Sequence, residues 1–166
     1  MKKLLPYLFC VVFVVLYTFG YDLLKAEKAP KQGYFLTQLV FQDFKGTKEM
    51  TAKLNKQQQE QKHLLDSLAA SITVLESTQN TRAVQKAKEG YQKLYQQFAT
   101  SNQQTMERYN SQIWTQINQY VNEFGKEQDY QFLFGANGSG TIMFADSSLN
   151  MTKEVLVYIN NKYDGK

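Results

Sequence analysis

The sequence predicts an α+β protein in which a long antiparallel coiled-coil helical hairpin projects from a small β-rich association body with a C-terminal helix. Three observations predict this fold class. Residues 45–124 contain no proline and carry apolar residues at intervals of three or four positions over most of their length, which is typical of paired helices. One short aromatic strand pattern precedes this stretch. Two further strand patterns and one helix pattern follow it.

Residues 45–124 form the predicted arm of the protein, and we call its stripe of regularly spaced residues the seam. The seam has two halves, separated by a polar cluster at residues 77–81. Steps of four and three residues separate the members of the first half, which are Leu54, Gln58, Gln61, Leu65, Leu68, Ile72 and Leu75. The second half consists of Val84, Ala87, Tyr91, Leu94, Phe98, Met106, Tyr109, Ile113, Ile117, Tyr120 and Phe124. Because neither helix can cover its own stripe, we expect two long helices that pack antiparallel around a polar tip.

The arm also contains two weak points and an excess of positive charge. Gln58 and Gln61 occupy seam positions where a packed coiled coil prefers leucine, so the arm either bends there or simply uses glutamine as a solvated helix former. Gly90 costs roughly 1 kcal/mol relative to alanine in a helix interior. Nine Lys/Arg and five Asp/Glu over residues 45–93 leave a net charge of +4. This indicates a solvated face or a mild attraction for acidic partners or anionic lipid headgroups.

Three strand patterns predict a single small sheet beside the arm. The first covers residues 33–36, and the other two cover residues 130–134 and 141–145. Asn137-Gly138 lies between the last two, and this dipeptide is a strong signal for a β-hairpin. We therefore expect one three-stranded sheet.

Two threonines are predicted to cap the helices of the body. Thr37 precedes an apolar helix pattern that begins near Leu39 and loosens at Gly46-Thr47. Thr152 precedes the last helix. Because a helical hairpin returns the chain to its starting point, residues 33–44 and 125–166 are expected to form one body.

The open edges of this sheet and its aromatic side chains predict a surface that is shared between protomers. The residues assigned to this oligomerisation surface are Tyr34, Phe35, Phe132, Phe134, Ile142 and Phe144.

The amino-terminal segment decides the predicted compartment. Residues 1–24 begin with Lys2 and Lys3 and contain an apolar stretch over residues 4–20, which indicates either a cleaved signal peptide or an anchor in the inner membrane. A polar linker over residues 25–32 follows. With either interpretation residues 25–166 lie outside the cytoplasmic membrane.

The composition excludes several classes of function. Cys10 is the only cysteine and His63 the only histidine, so we predict no disulfide framework, no metal site and no cofactor. From residue 31 onward 15 Lys/Arg and 13 Asp/Glu leave a charge of +2, which does not favour nucleic-acid binding. No nucleophile has a base partner, and we predict no catalytic residue and no enzyme activity.

Two stretches of sequence resemble the Skp/OmpH family of periplasmic chaperones. Gly33-Tyr34-Phe35, with Val40-Phe41-Gln42-Asp43-Phe44 after it, looks like the opening strand and helix start of that family. The run over residues 130–134 and the segment from Phe144 to Val155 are similar to the end of that family. The resemblance covers residues 33–163, including the order of elements and the length of the arm.

This resemblance implies a homotrimer whose bodies associate and whose arms enclose unfolded outer-membrane or envelope proteins without ATP. The arm of this chain is less basic than those of the best-known members, which weakens the case for charge-based capture. An uncleaved amino terminus would make the protein a tethered relative. The alternative is a membrane-anchored coiled-coil structural subunit of an envelope assembly.

Overall fold

The computed structural model describes residues 30–140 and 142–166. The chain divides into two units, Met1–Lys31 and Gln32–Lys166, and all the elements described below belong to the second. The predictions for residues 1–24 and for residues 25–29 of the linker lie outside the described residues. No helix in the described part of the chain is both long and apolar enough to span a membrane.

The second unit is mostly helical, with a smaller sheet than the sequence predicts. Its elements in chain order are β1 (Gln32–Leu36), α1 (Thr37–Asp43), α2 (Lys45–Ser77), α3 (Thr81–Glu127), β2 (Phe132–Ala136), a 3-10 turn (Ser147–Leu149) and α4 (Thr152–Tyr163). At 1.5 Å per residue, α2 is about 50 Å long and α3 about 70 Å long.

The helix predicted to begin near Leu39 is interrupted, and the interruption lies at Phe44 and not at Gly46-Thr47. Phe44 is extended, with φ −65° and ψ 130°, and its side chain is fully buried. Its ring makes edge-to-face contacts with Tyr120 and Tyr163, at centroid distances of 6.3 and 5.2 Å. A Cβ on Gly46 would lie 2.5 Å from the Phe44 ring, so glycine leaves the room that this inward turn requires.

Helix α4 packs against the start of α2. The backbone N–H of Lys45 donates to Oδ1 of Asn160 over 2.8 Å, which satisfies one of the free donors at the amino end of α2. Lys45 also forms an ion pair with Asp164, and the Tyr163 hydroxyl donates to Glu49 over 2.8 Å. The last helix therefore holds one end of the arm. We call the region formed by α1, α4, the sheet, residues 45–50 of α2 and residues 113–127 of α3 the base, and the rest of α2 and α3 the outer arm.

Helices α2 and α3 lie against each other and are joined by a short polar connection. Near this connection Lys88 Nζ is 2.7 Å from Glu76 Oε1. Farther from it, Asn102 Nδ2 donates to Gln61 Oε1 over 2.7 Å. Asn80 caps α3 by accepting from the N–H of Ala83 over 3.1 Å.

The predicted three-stranded sheet with a hairpin is wrong. β1 and β2 are parallel and form a two-stranded sheet, with Gln32 opposite Phe132 and Leu36 opposite Ala136. Residues 142–146 form no strand. The other edge of β1 is bonded through Tyr34, whose carbonyl accepts from the N–H of Met151 over 2.8 Å.

Local chemistry explains why the Asn137-Gly138 signal fails. Asn137 Oδ1 accepts from the N–H of Ser139 over 3.0 Å, and Gly138 and Gly140 both have positive φ, at 76° and 95°. This Asx-type turn offers the backbone an alternative to a two-residue hairpin turn. The chain consequently leaves β2 as a loop.

The two threonines predicted as caps are instead the first residues of their helices. The N-cap positions are occupied by Leu36 and Met151. Thr37 Oγ1 donates to the carbonyl of Ala136 over 3.1 Å, and Thr152 Oγ1 accepts from the N–H of Leu36 over 3.0 Å. Both hydroxyls therefore join the sheet to the helices, a role that only long-range contacts reveal.

The core of the unit lies where α1, the carboxyl half of α3 and α4 meet β1. Its buried apolar side chains are Phe35, Val40, Phe44, Ile113, Ile117, Phe124, Val155 and Ile159. Burial of a side chain of this size contributes roughly 1.5–3 kcal/mol. Trp114 adds to this region by stacking on Phe41 at a centroid distance of 5.2 Å.

Candidate functional site

The seam residues of the outer part of the arm, up to Phe98, lie along the pairing of α2 with α3, and none of them is fully buried. All nine apolar positions are half-buried, namely Leu54, Leu65, Leu68, Ile72, Leu75, Val84, Tyr91, Leu94 and Phe98. Met106, which the sequence also assigns to the seam, is 49% exposed, so that assignment is wrong. In the base of the same helix α3, Ile113 is 2% and Ile117 0% exposed. The outer arm thus keeps apolar surface within reach of solvent along its length.

A polar layer interrupts the seam in the middle of the arm. The amides of Gln61 and Asn102 bond to each other across the two helices, and a groove of about 380 Å³ lies beside them. The Asn102 Oδ1 atom is buried without a hydrogen-bond partner. Gln61, which the sequence marked as a weak point, therefore makes a specific contact.

The phase of the seam in α3 also changes at this layer. Val84, Tyr91 and Phe98 are seven residues apart, whereas Phe98, Tyr109 and Tyr120 are eleven residues apart. A seven-residue period favours a left-handed supercoil and an eleven-residue period a right-handed one, so the direction that the stripe favours changes at this layer. This change of spacing can be read from the sequence, but the predicted seam did not take it into account.

A larger apolar groove lies farther out on the arm, and we call it the distal groove. Its volume is about 540 Å³. The small or apolar residues that line it include Leu68, Ile72, Leu75, Ala87, Gly90 and Leu94.

A second apolar surface, the aromatic patch, lies on the outward face of the sheet. Tyr34 and Phe134 are paired in register, and the rings of Phe132 and Phe134 stack at 5.9 Å. Phe132 is 53% and Phe134 45% exposed. Ile142 and Phe144 join Tyr34 and Phe134 around a cavity of about 690 Å³, and Phe144 is 89% exposed.

Phe35 does not belong to this patch. Successive residues of a strand point to opposite faces, and Phe35 points into the core of its own chain, where it is 6% exposed. We therefore remove Phe35 from the predicted oligomerisation surface. The other five predicted residues lie on the outward face or in the loop beside it.

The described residues were also searched for clusters of metal-ligating side chains. Residues 30–140 and 142–166 hold no group of three or more His, Cys, Asp or Glu that could bind a metal ion. His63 is exposed on α2.

The comparisons with known proteins agree with this architecture. The family model for outer membrane protein (OmpH-like) matches residues 31–159. The chain belongs to the OmpH-like family. The matched residues include the sheet, both long helices and most of the last helix. The comparison with curated proteins finds no match.

One solved structure with a similar fold is a proposed outer membrane chaperone (OmpH-like) from Caulobacter crescentus CB15. Its sequence is 14% identical, the TM-score is 0.50, and the alignment covers 82% of this chain and 88% of that chain. At this identity the similarity concerns the fold alone. The similarity extends over most of both chains.

Proposed function

We propose that this OmpH-like protein is an ATP-independent holdase chaperone that binds unfolded outer-membrane or other envelope polypeptides in the periplasm. The observation that carries the proposal is the half-buried seam of the arm in a member of the OmpH-like family. An unfolded chain has no fixed shape, so many weak apolar contacts spread along a surface suit it better than one deep pocket.

The proposal includes an antiparallel arrangement of α2 and α3. Two contacts support it, because Glu76 lies against Lys88 near the tip while Gln61, fifteen residues earlier, lies against Asn102, fourteen residues later. In this arrangement the arm presents its seam and grooves to a client from both flanks.

We also propose that the protein is a homotrimer that associates through the aromatic patch. Phe132, Phe134 and Phe144 are far more exposed than aromatic side chains usually are, and a contiguous apolar patch of this kind commonly marks an interface. Association would also cover the edge of β2 that faces away from β1.

Phe134→Asp should break this oligomer, because it places a carboxylate where an apolar contact is expected. Light scattering should show a fall to monomer mass at low micromolar concentration. Val157→Asp is the matched control, since Val157 on α4 is 61% exposed and outside the patch. A Phe134→Asp variant with the mass of the wild type would contradict the role of the patch.

The chaperone proposal itself is tested by dilution of a urea-denatured outer-membrane β-barrel protein into a solution of residues 25–166. We expect a stoichiometric soluble complex without ATP, detected by light scattering. If the β-barrel protein aggregates as fast as it does alone, the holdase proposal fails. Co-purification with one folded envelope partner would then favour the anchored structural subunit, whose attachment through residues 4–20 would need a separate test.

A further inference from the structure

The loop that follows β2 begins with Asn137-Gly138, and this is the one place in the sequence where glycine follows asparagine. Residues 137–140 are all exposed. Gly138 has φ 76°, and a Cβ built on it would meet no atom within 4 Å. The main-chain nitrogen that follows Asn137 therefore belongs to a residue without a side chain to shield it.

Two donors of Ser139 face the side-chain carbonyl of Asn137. The N–H of Ser139 donates to Oδ1 over 3.0 Å, and its hydroxyl donates to the same oxygen over 2.6 Å. Donors that are already in place stabilise negative charge on such an oxygen without any reorganisation of solvent. The carbonyl carbon, Cγ, is therefore prepared for attack by a nearby nucleophile.

Asn150 provides a contrast within the same chain. Its Oδ1 accepts from the N–H of Thr152 over 3.0 Å and from the Thr152 hydroxyl over 2.5 Å, so its carbonyl is polarised in the same way. The next residue, however, is Met151, whose N–H donates to the carbonyl of Tyr34 over 2.8 Å. The two asparagines thus share the polarised carbonyl and differ in the nitrogen that follows it.

We propose that Asn137 is a site of self-modification, at which the side-chain amide is lost to water without an enzyme. The nitrogen of Gly138 attacks Cγ of Asn137, so that an N–Cγ bond forms and the Cγ–Nδ2 bond breaks. The proton of the Gly138 N–H leaves with the amide nitrogen as ammonia, and a five-membered cyclic imide remains. Water opens this imide at either carbonyl carbon, which gives aspartate or isoaspartate. One water is consumed, one ammonia is released, and nothing is oxidised or reduced.

Either product changes the loop that carries two residues of the aromatic patch. Ile142 and Phe144 follow Asn137 by five and seven residues. Each lost amide adds a negative charge directly after β2, and isoaspartate also adds one carbon to the main chain between β2 and these two residues. Because a charge beside an apolar contact is unfavourable, we expect modified chains to associate less tightly. This consequence rests on the proposed homotrimer, whereas the modification itself does not.

Mass spectrometry of the full-length protein tests the modification. The protein is incubated at mildly alkaline pH and then digested at acidic pH, and the loss of each amide is followed in its own peptide. Asn137 should react at least about tenfold faster than Asn150, which is the control in the same digest. Equal rates, or an intact Asn137 after other asparagines have reacted, would overturn the proposal.

Ser139→Ala removes the hydroxyl donor and tests whether the folded loop promotes the reaction. It should slow the loss of the Asn137 amide about fivefold in the folded protein, which is the effect of one neutral hydrogen bond. In concentrated urea, where the loop is not held, the variant and the wild type should react at the same rate. Ser101→Ala, at an exposed position on α3, is the matched control. A folded Ser139→Ala protein that reacts as fast as the wild type would refute the role of this serine.

Light scattering tests the consequence for association. Ion exchange separates the modified chains by their additional negative charge, and their midpoint concentration of association should lie about tenfold above that of the unmodified chains. Asn80→Asp, which adds the same charge at the start of α3, is the control and should associate like the wild type. Modified chains that associate normally would refute this consequence. A wild type that is monomeric at every concentration would refute the homotrimer and this consequence together, while the peptide masses would still decide the modification.

Discussion

The two ends of α3 carry similar apolar stripes and bury them to different extents. Ile117, near the base, is 0% exposed, whereas Leu94 and Phe98, in the outer arm, are half-buried. At the base, α1, α4 and β1 add neighbours to the helix pair, while in the outer arm α2 is the only element against α3 among residues 30–140 and 142–166. An apolar period therefore decides that a helix forms, and the number of neighbouring elements decides how much it buries.

This difference separates stability from binding within one helix. The base holds the buried core that stabilises the fold, and the outer arm retains accessible apolar surface. Because few of its apolar contacts are buried, we expect the outer arm to have the lower local stability. Substitutions in the two regions should therefore act independently.

The largest expected effect is on the core of the base. Ile117→Ala should lower the free energy of unfolding by about 2–5 kcal/mol, because it leaves a cavity among fully buried neighbours. Leu94→Ala, in the same helix, should lower it by only about 1 kcal/mol, since Leu94 is already partly solvated. Urea denaturation at one fixed protein concentration measures both. Equal losses would mean that the arm is packed as tightly as the base.

Removal of the outer arm should affect client retention and spare the base. A variant that lacks equal lengths of α2 and α3 on either side of Thr78, rejoined by a short turn, should keep the oligomer mass of the wild type. Its affinity for a denatured β-barrel protein should fall by about tenfold or more. Loss of folding by circular dichroism would show instead that the outer arm is required for the stability of the base.

A smaller effect is expected at the junction between the two regions. Asn160→Ala removes the acceptor of the Lys45 N–H at the start of α2, and loss of such a capping contact costs about 1 kcal/mol. Thermal denaturation should show a modestly lower Tm. Asn161→Ala, one residue away and exposed, is the control. A Tm that moves equally in both variants would contradict a specific role for Asn160.

The smallest effect concerns pH. A hydrogen bond from Lys45 lowers the pKa of Asp164 below its ordinary value. Because the folded-state pKa is the lower one, the ion pair stabilises the fold above about pH 4 and this contribution is lost as the pH falls through the lowered pKa. The pair is partly exposed, so the effect is small. Asp164→Asn should flatten the fall in Tm between about pH 5 and about pH 2, and an unchanged slope would argue against it.

The local periodicity of the sequence determined the helical part of this protein. The apolar steps of three and four residues and the polar cluster at residues 77–81 predicted two long helices, and α2 ends at Ser77 while α3 begins at Thr81. The aromatic strand patterns likewise predicted β1 and β2. These features depend on neighbours within a few residues along the chain, which the sequence displays directly.

Only the tertiary structure decided the pairing of the strands and the fate of individual side chains. The hairpin signal at Asn137-Gly138 was overridden by a side-chain turn, and β2 pairs in parallel with β1, a hundred residues away. Phe35 and Phe134 look alike in the sequence, yet one enters the core and the other faces outward. The space at Gly90 is visible only when α2 lies beside α3. Each of these outcomes depends on which distant segment arrives at a position, and local propensity holds no information about that.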